Sequence, residues 1–364
     1  MTRGGVALAC LVVACGSPPP HAARLPPTRA DAIAQPPSTL AAADRAALAQ
    51  VVALPDGAVA RTAAGNLMRY DSALVRTAER RGAYAALAVD GADLFAAQTD
   101  GGLVALDPAT LAPTPLGAAA PGRPVWLAAL PAALVVAVDL GHDGAYDLVV
   151  LSRASGAETG RLVVPTTGNP KHHPGTWFLD RAHGAVWFGA DGGEWGGALG
   201  RVDLATGAAG VTPGALGGVY GLVRGPDNRL WVHGGTAHLG HLESFISAVS
   251  DDGATVTELW STHDGRRGTL AAAEPLRAVS AIIPRADVLV VLAGEDVFGA
   301  TPDLARWTHL AHLPATARGG RPDATSSYPA VASVAASADG RVIFFATRGD
   351  GLFALRAGGL VRVD

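Results

Sequence analysis

The stretch Gly184 to Asp203 (GAVWFGADGGEWGGALGRVD) constrains the fold more than any other part of the chain. Ala185 to Ala190 and Ala198 to Asp203 are apolar, β-prone runs separated by a glycine-rich turn, and together they read as one antiparallel hairpin. Related copies begin near Ala58, Asp93, Ala133, Arg229, Val288 and Arg341. Their spacing, roughly 35 to 60 residues, is that of a repeat built from one small sheet. An additional strand-like run precedes most copies (Tyr84 to Val89, Val125 to Leu130, Thr176 to Asp180, Val219 to Val223, Val279 to Ile283, Val331 to Ala335). Others follow, as at Leu162 to Val164, Val256 to Trp260 and Gly359 to Val363.

Four short strands per unit make a sheet whose adjacent residues, such as Val186 and Trp187 or Val290 and Val291, are apolar on both faces. Such a sheet cannot stand alone in water, but a ring of copies covers every face. An all-β fold, a β-propeller of four-stranded blades, is therefore expected. Seven units are counted. Six is the alternative, because the first copy is the least regular and the last has no evident N-terminal partner strand beyond Ala49 to Leu54. The composition agrees: 46 Gly and 25 Pro suit many tight turns, and only 16% of residues are charged. A formal net charge of −4 without a basic run offers no footprint for nucleic acid.

The first 15 residues have the pattern of an export signal, with Arg3 ahead of a short apolar run from Val6 to Ala14. Val12-Val13-Ala14-Cys15 resembles the bacterial lipobox, which implies acylation of Cys15 and a lipid anchor in the cell envelope, at the outer membrane. An ordinary secretory signal cut near Ala14 or Gly16 is the alternative. Cys10 would be discarded on either reading, so no disulfide is expected. Residues 16–45 are rich in Pro, Ala and Ser and read as a disordered tether, with the propeller spanning 46–364. Ala41 to Gln50 is open between a short helix and an entry into the first strand.

The hairpin AVWFGADGG followed by LGRVDLATG resembles both the propeller repeats of two-component-regulator sensors and those of virginiamycin B lyase-like propellers. The resemblance implies the scaffold. It assigns no catalytic residue, since such repeats serve sensors, lyases and binding modules alike. No Gly-x-Ser-x-Gly elbow, phosphate loop or calcium-loop spacing accompanies it.

Candidate chemistry lies in lengthened segments: Asp139 to Asp147, Asp191 to Gly197, His233 to Glu243 and Glu295 to Asp303, read as turns between second and third strands. The links Pro165 to Pro174 and Ala315 to Tyr328 belong to the same propeller face. Candidate ligand-binding residues on that rim are Glu194 and Trp195, a carboxylate beside an aromatic face between glycine pairs; His172 and His173; and His233, His238, His241 and Glu243. Imidazoles with a carboxylate are donors for a divalent metal, here His238, His241 and Glu243; solvated histidines, with one buried on a backbone partner, are the structural alternative. Three functions follow as expectations. One is a lipid-anchored, monomeric module binding a protein, peptide or glycan, without a cofactor. A metal-assisted lyase or hydrolase using the rim is the second, and a sensory input domain the third.

Overall fold

The computed structural model describes residues 31–141, 144–167, 173–192, 196–212, 217–238, 241–262, 279–285, 287–313 and 331–364. The chain forms seven four-stranded antiparallel blades arranged as a propeller. Strands are called a to d from the channel outward. Blade 1 comprises Leu48–Leu54, Gly57–Thr62, Leu67–Asp71 and Arg76–Arg80; blade 2 comprises Tyr84–Asp90, Asp93–Gln98, Gly102–Leu106 and Pro113–Ala119. Blade 3 comprises Arg123–Ala129, Ala133–Asp139, Tyr146–Ser152 and Glu158–Val163; blade 4 comprises His173–Asp180, Ala185–Asp191, Gly197–Asp203 and Ala209–Val211. Blade 5 comprises Gly218–Arg224, Leu230–His238, His241–Val249 and Val256–Ser261, and blade 6 Val279–Pro284, Leu289–Ala293, Asp296–Ala300 and Trp307–His312. Blade 7 comprises Val331–Ala336, Ile343–Thr347, Leu352–Arg356 and Gly359–Arg362.

Each hairpin buries both faces, as the adjacent apolar residues require. Val186 and Phe188 pack toward blade 3 with Val135, Ala137 and Leu148. Trp187, between them, packs toward blade 5 with Val219, Leu230 and Val232. Equivalent clusters fill every gap between neighbouring blades, and the last joins Phe344 and Leu352 of blade 7 to Val51, Ala58 and Met68 of blade 1. Full burial of an aromatic such as Trp187 contributes on the order of 2–3 kcal/mol. Glycine makes two of these contacts possible in blade 4. A Cβ on Gly200 would collide with the Phe188 ring paired across from it, and one on Gly189 would collide with Val219 of blade 5.

The ring closes without a shared sheet strand. Ala49 to Leu54 belongs to the innermost strand of blade 1, not to blade 7. Closure comes instead from the segment read as the distal tether. Asp31 and Ala32 pair in parallel with Val361 and Arg362 on the outer edge of blade 7. Gln35 then bonds Leu74 O and the Arg76 amide of blade 1, at 2.9 and 2.7 Å. The Thr39 amide donates to Glu79, and Leu40 is buried in the blade 7 and blade 1 core. A short helix, Ala42–Ala46, leads directly into strand 1a, so both alternatives for Ala41 to Gln50 are realised in succession. Residues 31–45 are thus a strap along the seam, a correction to the 16–45 tether. Ile33 and Leu40 supply apolar surface that the proline-rich composition hides. Cys15 and residues 16–30 lie outside the described residues.

Strands alternate in direction, so the b–c turns and the links between blades share one end of the ring. The a–b and c–d turns share the other. Two of the lengthened turns are confirmed in extent, between Asp139 and Tyr146 and between Asp191 and Gly197. The other two are corrected. His233 to Glu243 is paired hairpin up to the His238 and His241 bridge, and Asp296–Ala300 is a strand entered from the two-residue turn Gly294 and Glu295.

Candidate functional site

Strands a pack against strands a of the adjacent blades at every seam but that of blades 3 and 4. All seven carry a bulge near the looped end, skipping Ala49, Ala85, Val125, Gly175, Tyr220, Ser280 and Ala332. The skipped residue re-aims the side chain that follows. In blade 1 that residue is Gln50, whose amide donates to Leu87 O and accepts from the Leu87 amide of blade 2, both at 2.9 Å. In blade 7 it is Ser333, bonded to the Val51 amide at 3.2 Å. Blade 3 places Trp126 there, and it stacks on Trp177 of blade 4 with centroids 6.0 Å apart and planes at 22°. Aromatic packing thus replaces the polar stitch at this seam alone among those three.

The tryptophan pair extends toward the looped face as a mixed corner. Trp177 meets Tyr146 edge-on at 6.0 Å and Phe188 at 5.6 Å. Tyr146 pairs across strands with Asp139, and Asp139 with Arg123. The exposed Arg123 guanidinium donates to Asp139 at 2.7 Å. A backbone bond from Gly141, aided by Arg123 and by nearby His173, holds the Asp139 carboxyl below its ordinary range. Burial pushes the Tyr146 phenol up, with the Asp139 charge adding to it. His173 itself is exposed at the start of strand 4a, with Nδ1 beside Gly144. Aromatic surface, a cation, a carboxylate and an imidazole therefore meet at the mouth between blades 3 and 4.

The remaining sequence candidates separate. Glu194, Trp195 and His172 lie outside the described residues. His233 is 2% exposed, and its Nδ1 donates to Val279 O of blade 6 at 3.0 Å. Burial lowers its pKa to about 4. It is a structural histidine and no longer a rim candidate. His238 and His241 are partners in the backbone register at the hairpin end, as are Glu243 and Thr236, and the side chains of His238 and His241 lie outside the described residues.

Further polar clusters escape a sequence reading because each is assembled across strands. At the looped end of blade 6, Asp296 Oδ1 accepts from His309 Nε2 at 2.9 Å and His312 Nδ1 at 2.8 Å. Burial alone would raise the Asp296 carboxyl, yet these two bonds hold it below its ordinary range. At the opposite end, Asp180, His183 and Asp251 are close enough to share a cation. Arg224 already bonds Asp180, and reaches Asp251 at 2.9 Å, so a guanidinium supplies the positive charge there. Asp90 likewise joins Arg153 and Arg181 at 2.7 and 2.8 Å, linking blades 2, 3 and 4. For the clusters at this end, the sequence signal was an Asp or Arg ending a strand a, as at Asp90, Asp180 and Arg224.

No family model and no curated protein sequence matches the chain. Among solved structures it is similar to hydrazine synthase of Kuenenia stuttgartiensis, with a TM-score of 0.63 and 14% identity over 87% of this chain and 97% of that one. It is also similar to the β-propeller domain of Cps50 (Swd1) of Myceliophteria thermophila, with a TM-score of 0.57 and 11% identity over 86% and 97%. At such identity the similarity bears on fold alone.

Proposed function

We propose that this protein is an envelope binding module, held at the outer membrane by a lipid on Cys15, whose looped propeller face recognises a protein, peptide or glycan. The observation that carries the reading is the corner between blades 3 and 4. Partly exposed Trp126 and Trp177 offer apolar surface, while Arg123, Asp139 and His173 offer donors and acceptors at the same edge. A few polar groups converging beside aromatic surface on a rigid scaffold is the composition of a recognition site. The export signal, the lipobox and the proline-rich segment before residue 31 support an address outside the cytoplasm.

The test uses the full chain and an Arg123→Ala, His173→Ala double variant, in which both altered side chains are exposed and folding is spared. Each is immobilised and challenged with envelope extract, with peptides and with envelope glycans. Retention of one class by the native protein and its loss in the variant is the expected outcome; equal retention by both removes the corner from the reading. In parallel, Cys15→Ala should move the protein from the membrane fraction to the soluble fraction.

A further inference from the structure

We propose that the looped end of the seam between blades 1 and 2 is a binding site for a tetrahedral oxyanion, a phosphate or sulfate group, with Arg61 as its principal ligand and Arg80 as the second cation. This site lies two seams from the corner between blades 3 and 4 and does not rest on it.

One row of the blade 1 register brings these residues together. Gln50, Arg61, Leu67 and Arg80 are successive cross-strand partners on strands 1a to 1d. Cross-strand partners project from the same face of a sheet, and here that face is turned to blade 2. Gln50 bonds Leu87, and Leu67 is buried in the core shared with Tyr84 and Leu87. Arg61 Nη1 donates to Tyr84 O at 3.3 Å, and Arg80 Nε donates to the Tyr84 phenol oxygen at 3.0 Å. Two guanidiniums therefore meet one buried tyrosine of blade 2, from the second and fourth strands of blade 1.

Neither guanidinium has a counter-charge. Among the described arginines that are not exposed, Arg45, Arg69, Arg76, Arg153, Arg201 and Arg224 each lie against a carboxylate, whereas Arg61 and Arg80 do not. Burial with no opposing charge lowers the Arg61 guanidinium below its ordinary range. Its Nε is buried without a hydrogen-bond partner, and Tyr84 O is the one acceptor the described residues give it. Nearby carboxylates are engaged elsewhere. Glu79 accepts from the Thr39 amide and pairs with Arg76, and Asp100 at the tip of the blade 2 hairpin accepts from the Gly102 amide at 3.0 Å.

A guanidinium drawn out of water recovers the loss only through acceptors for its five donors, best of all charged ones. Its planar fork matches the oxygens of a phosphate, and charge-assisted bonds of this kind are the strong ones. Arg80 uses only Nε on Tyr84, so its Nη groups remain for an ion. Two cations favour a group of charge roughly −1.5 to −2, that of a phosphate ester at neutral pH, over a single carboxylate.

The experiment is calorimetric titration and thermal denaturation of the full chain with sodium phosphate and with sodium sulfate, at an ionic strength held constant with chloride. Saturable binding of one ion per chain, with a matching rise in Tm, is expected. Arg61→Gln should weaken phosphate affinity by about tenfold or more, and Arg80→Gln by a smaller factor. Arg356→Gln, at an exposed position of blade 7, is the control and should leave affinity unchanged. A merely structural arginine would not give the second expected mark. Without phosphate, Arg61→Gln should melt no lower than the native protein, because the uncompensated charge is gone; at saturating phosphate the native protein should melt higher. Glucose 6-phosphate identifies the source: tighter binding than the free ion places the group on a larger ligand, equal or weaker binding assigns the site to the ion itself, and each upholds the site. No saturable response of the native chain to phosphate or sulfate, or native-like phosphate affinity in Arg61→Gln, overturns it. Should Arg61→Gln fail to fold, the native titration and Arg80→Gln decide, and unchanged affinity in Arg80→Gln then counts against the site. None of these results bears on ligand retention by the Arg123 corner, so the two ideas fail separately.

Discussion

His233 is buried between blades 5 and 6 as a neutral imidazole whose Nδ1–H is committed to Val279 O. Its folded pKa, about 4, lies below the ordinary value of 6.5 because burial disfavours the cation. The unfolded chain therefore binds a proton through a range in which the folded chain does not. Stability from this group is complete above pH 6.5 and is lost as pH falls toward 4. Between pH 7.5 and pH 5 the loss amounts to about 2 kcal/mol. The carboxylates with lowered pKa, such as Asp203 at about 2, act further down the scale. Urea unfolding at the two pH values should show this decrement in the native protein, and His233→Leu should flatten it while lowering stability overall by about 1 kcal/mol through the orphaned carbonyl. An unchanged slope in that variant would assign the pH dependence to other groups. His233 also shows what a residue pattern leaves open: four ligand-type residues within eleven positions are visible in the chain, but that His233 is a core residue bonded to the next blade depends on strand pairing.

Strand pairing was hidden by glycine. Gly234 and Gly235 made His233 to Glu243 read as a loop, yet both are paired strand residues, and a Cβ on Gly234 would collide with the Gly218 carbonyl. In this hairpin glycine permits close backbone approach and no turn is required of it. The hairpins of blades 3 and 4 were legible because their apolar residues are unbroken and their turns short of apolar residues. The bulges in strands a were not, since the skipped position is Ala in three blades and Val, Gly, Tyr or Ser in the others. Blade 4 offers the sharpest test of glycine as a packing residue. Gly200→Ala should cost about 1–3 kcal/mol by driving a methyl into Phe188. Phe188→Leu in the same chain should recover part of that loss, and a double-mutant cycle by urea denaturation measures the coupling. Additive effects would mean that the ring does not lie over Gly200. Arg224 tests the other end of the blades. Asp180 is buried, and burial would raise its carboxyl, but bonds from Arg224 and His183 keep it ionised and below its ordinary range. Arg224→Ala leaves that charge uncompensated and should cost about 3 kcal/mol, with Asp180→Asn in the same chain restoring much of it.

A ring of sequential blades meets itself only once, and at that seam the ends of the described chain converge. Asp364 accepts from Tyr70 at 3.0 Å and from Arg45 at 3.2 Å, and pairs with the buried Arg76. Burial together with the Asp364 charge raises the Tyr70 phenol well above its ordinary range. Arg76 also donates to Pro36 O, the Arg45 guanidinium donates to Leu40 O, and the Gly351 amide donates to Ala46 O at 2.8 Å. The strap thus ties blade 7 to blade 1 through its own backbone, and sheet pairing adds only the bridge at Asp31 and Ala32. Its proline content suits this task, because Pro36 and Pro37 hold an extended path while giving up amides that the seam does not use. If the strap closes the ring, a chain beginning at Ala47 should lose the burial of Leu40 and Ile33 and the bonds to Arg76 and Glu79, on the order of 2–4 kcal/mol. Hydrogen exchange locates the effect: amides of strands 1a, 7a and 7b, which meet across the seam, should exchange faster in the shortened chain, whereas those of blades 3 and 4 should keep their native rates. Uniform acceleration around the ring would mean that closure and blade stability form one cooperative unit. Unchanged protection at blades 7 and 1 would reduce the strap to a passenger, with the apolar cluster of Phe344, Leu352, Val51 and Met68 sufficient to hold the circle shut.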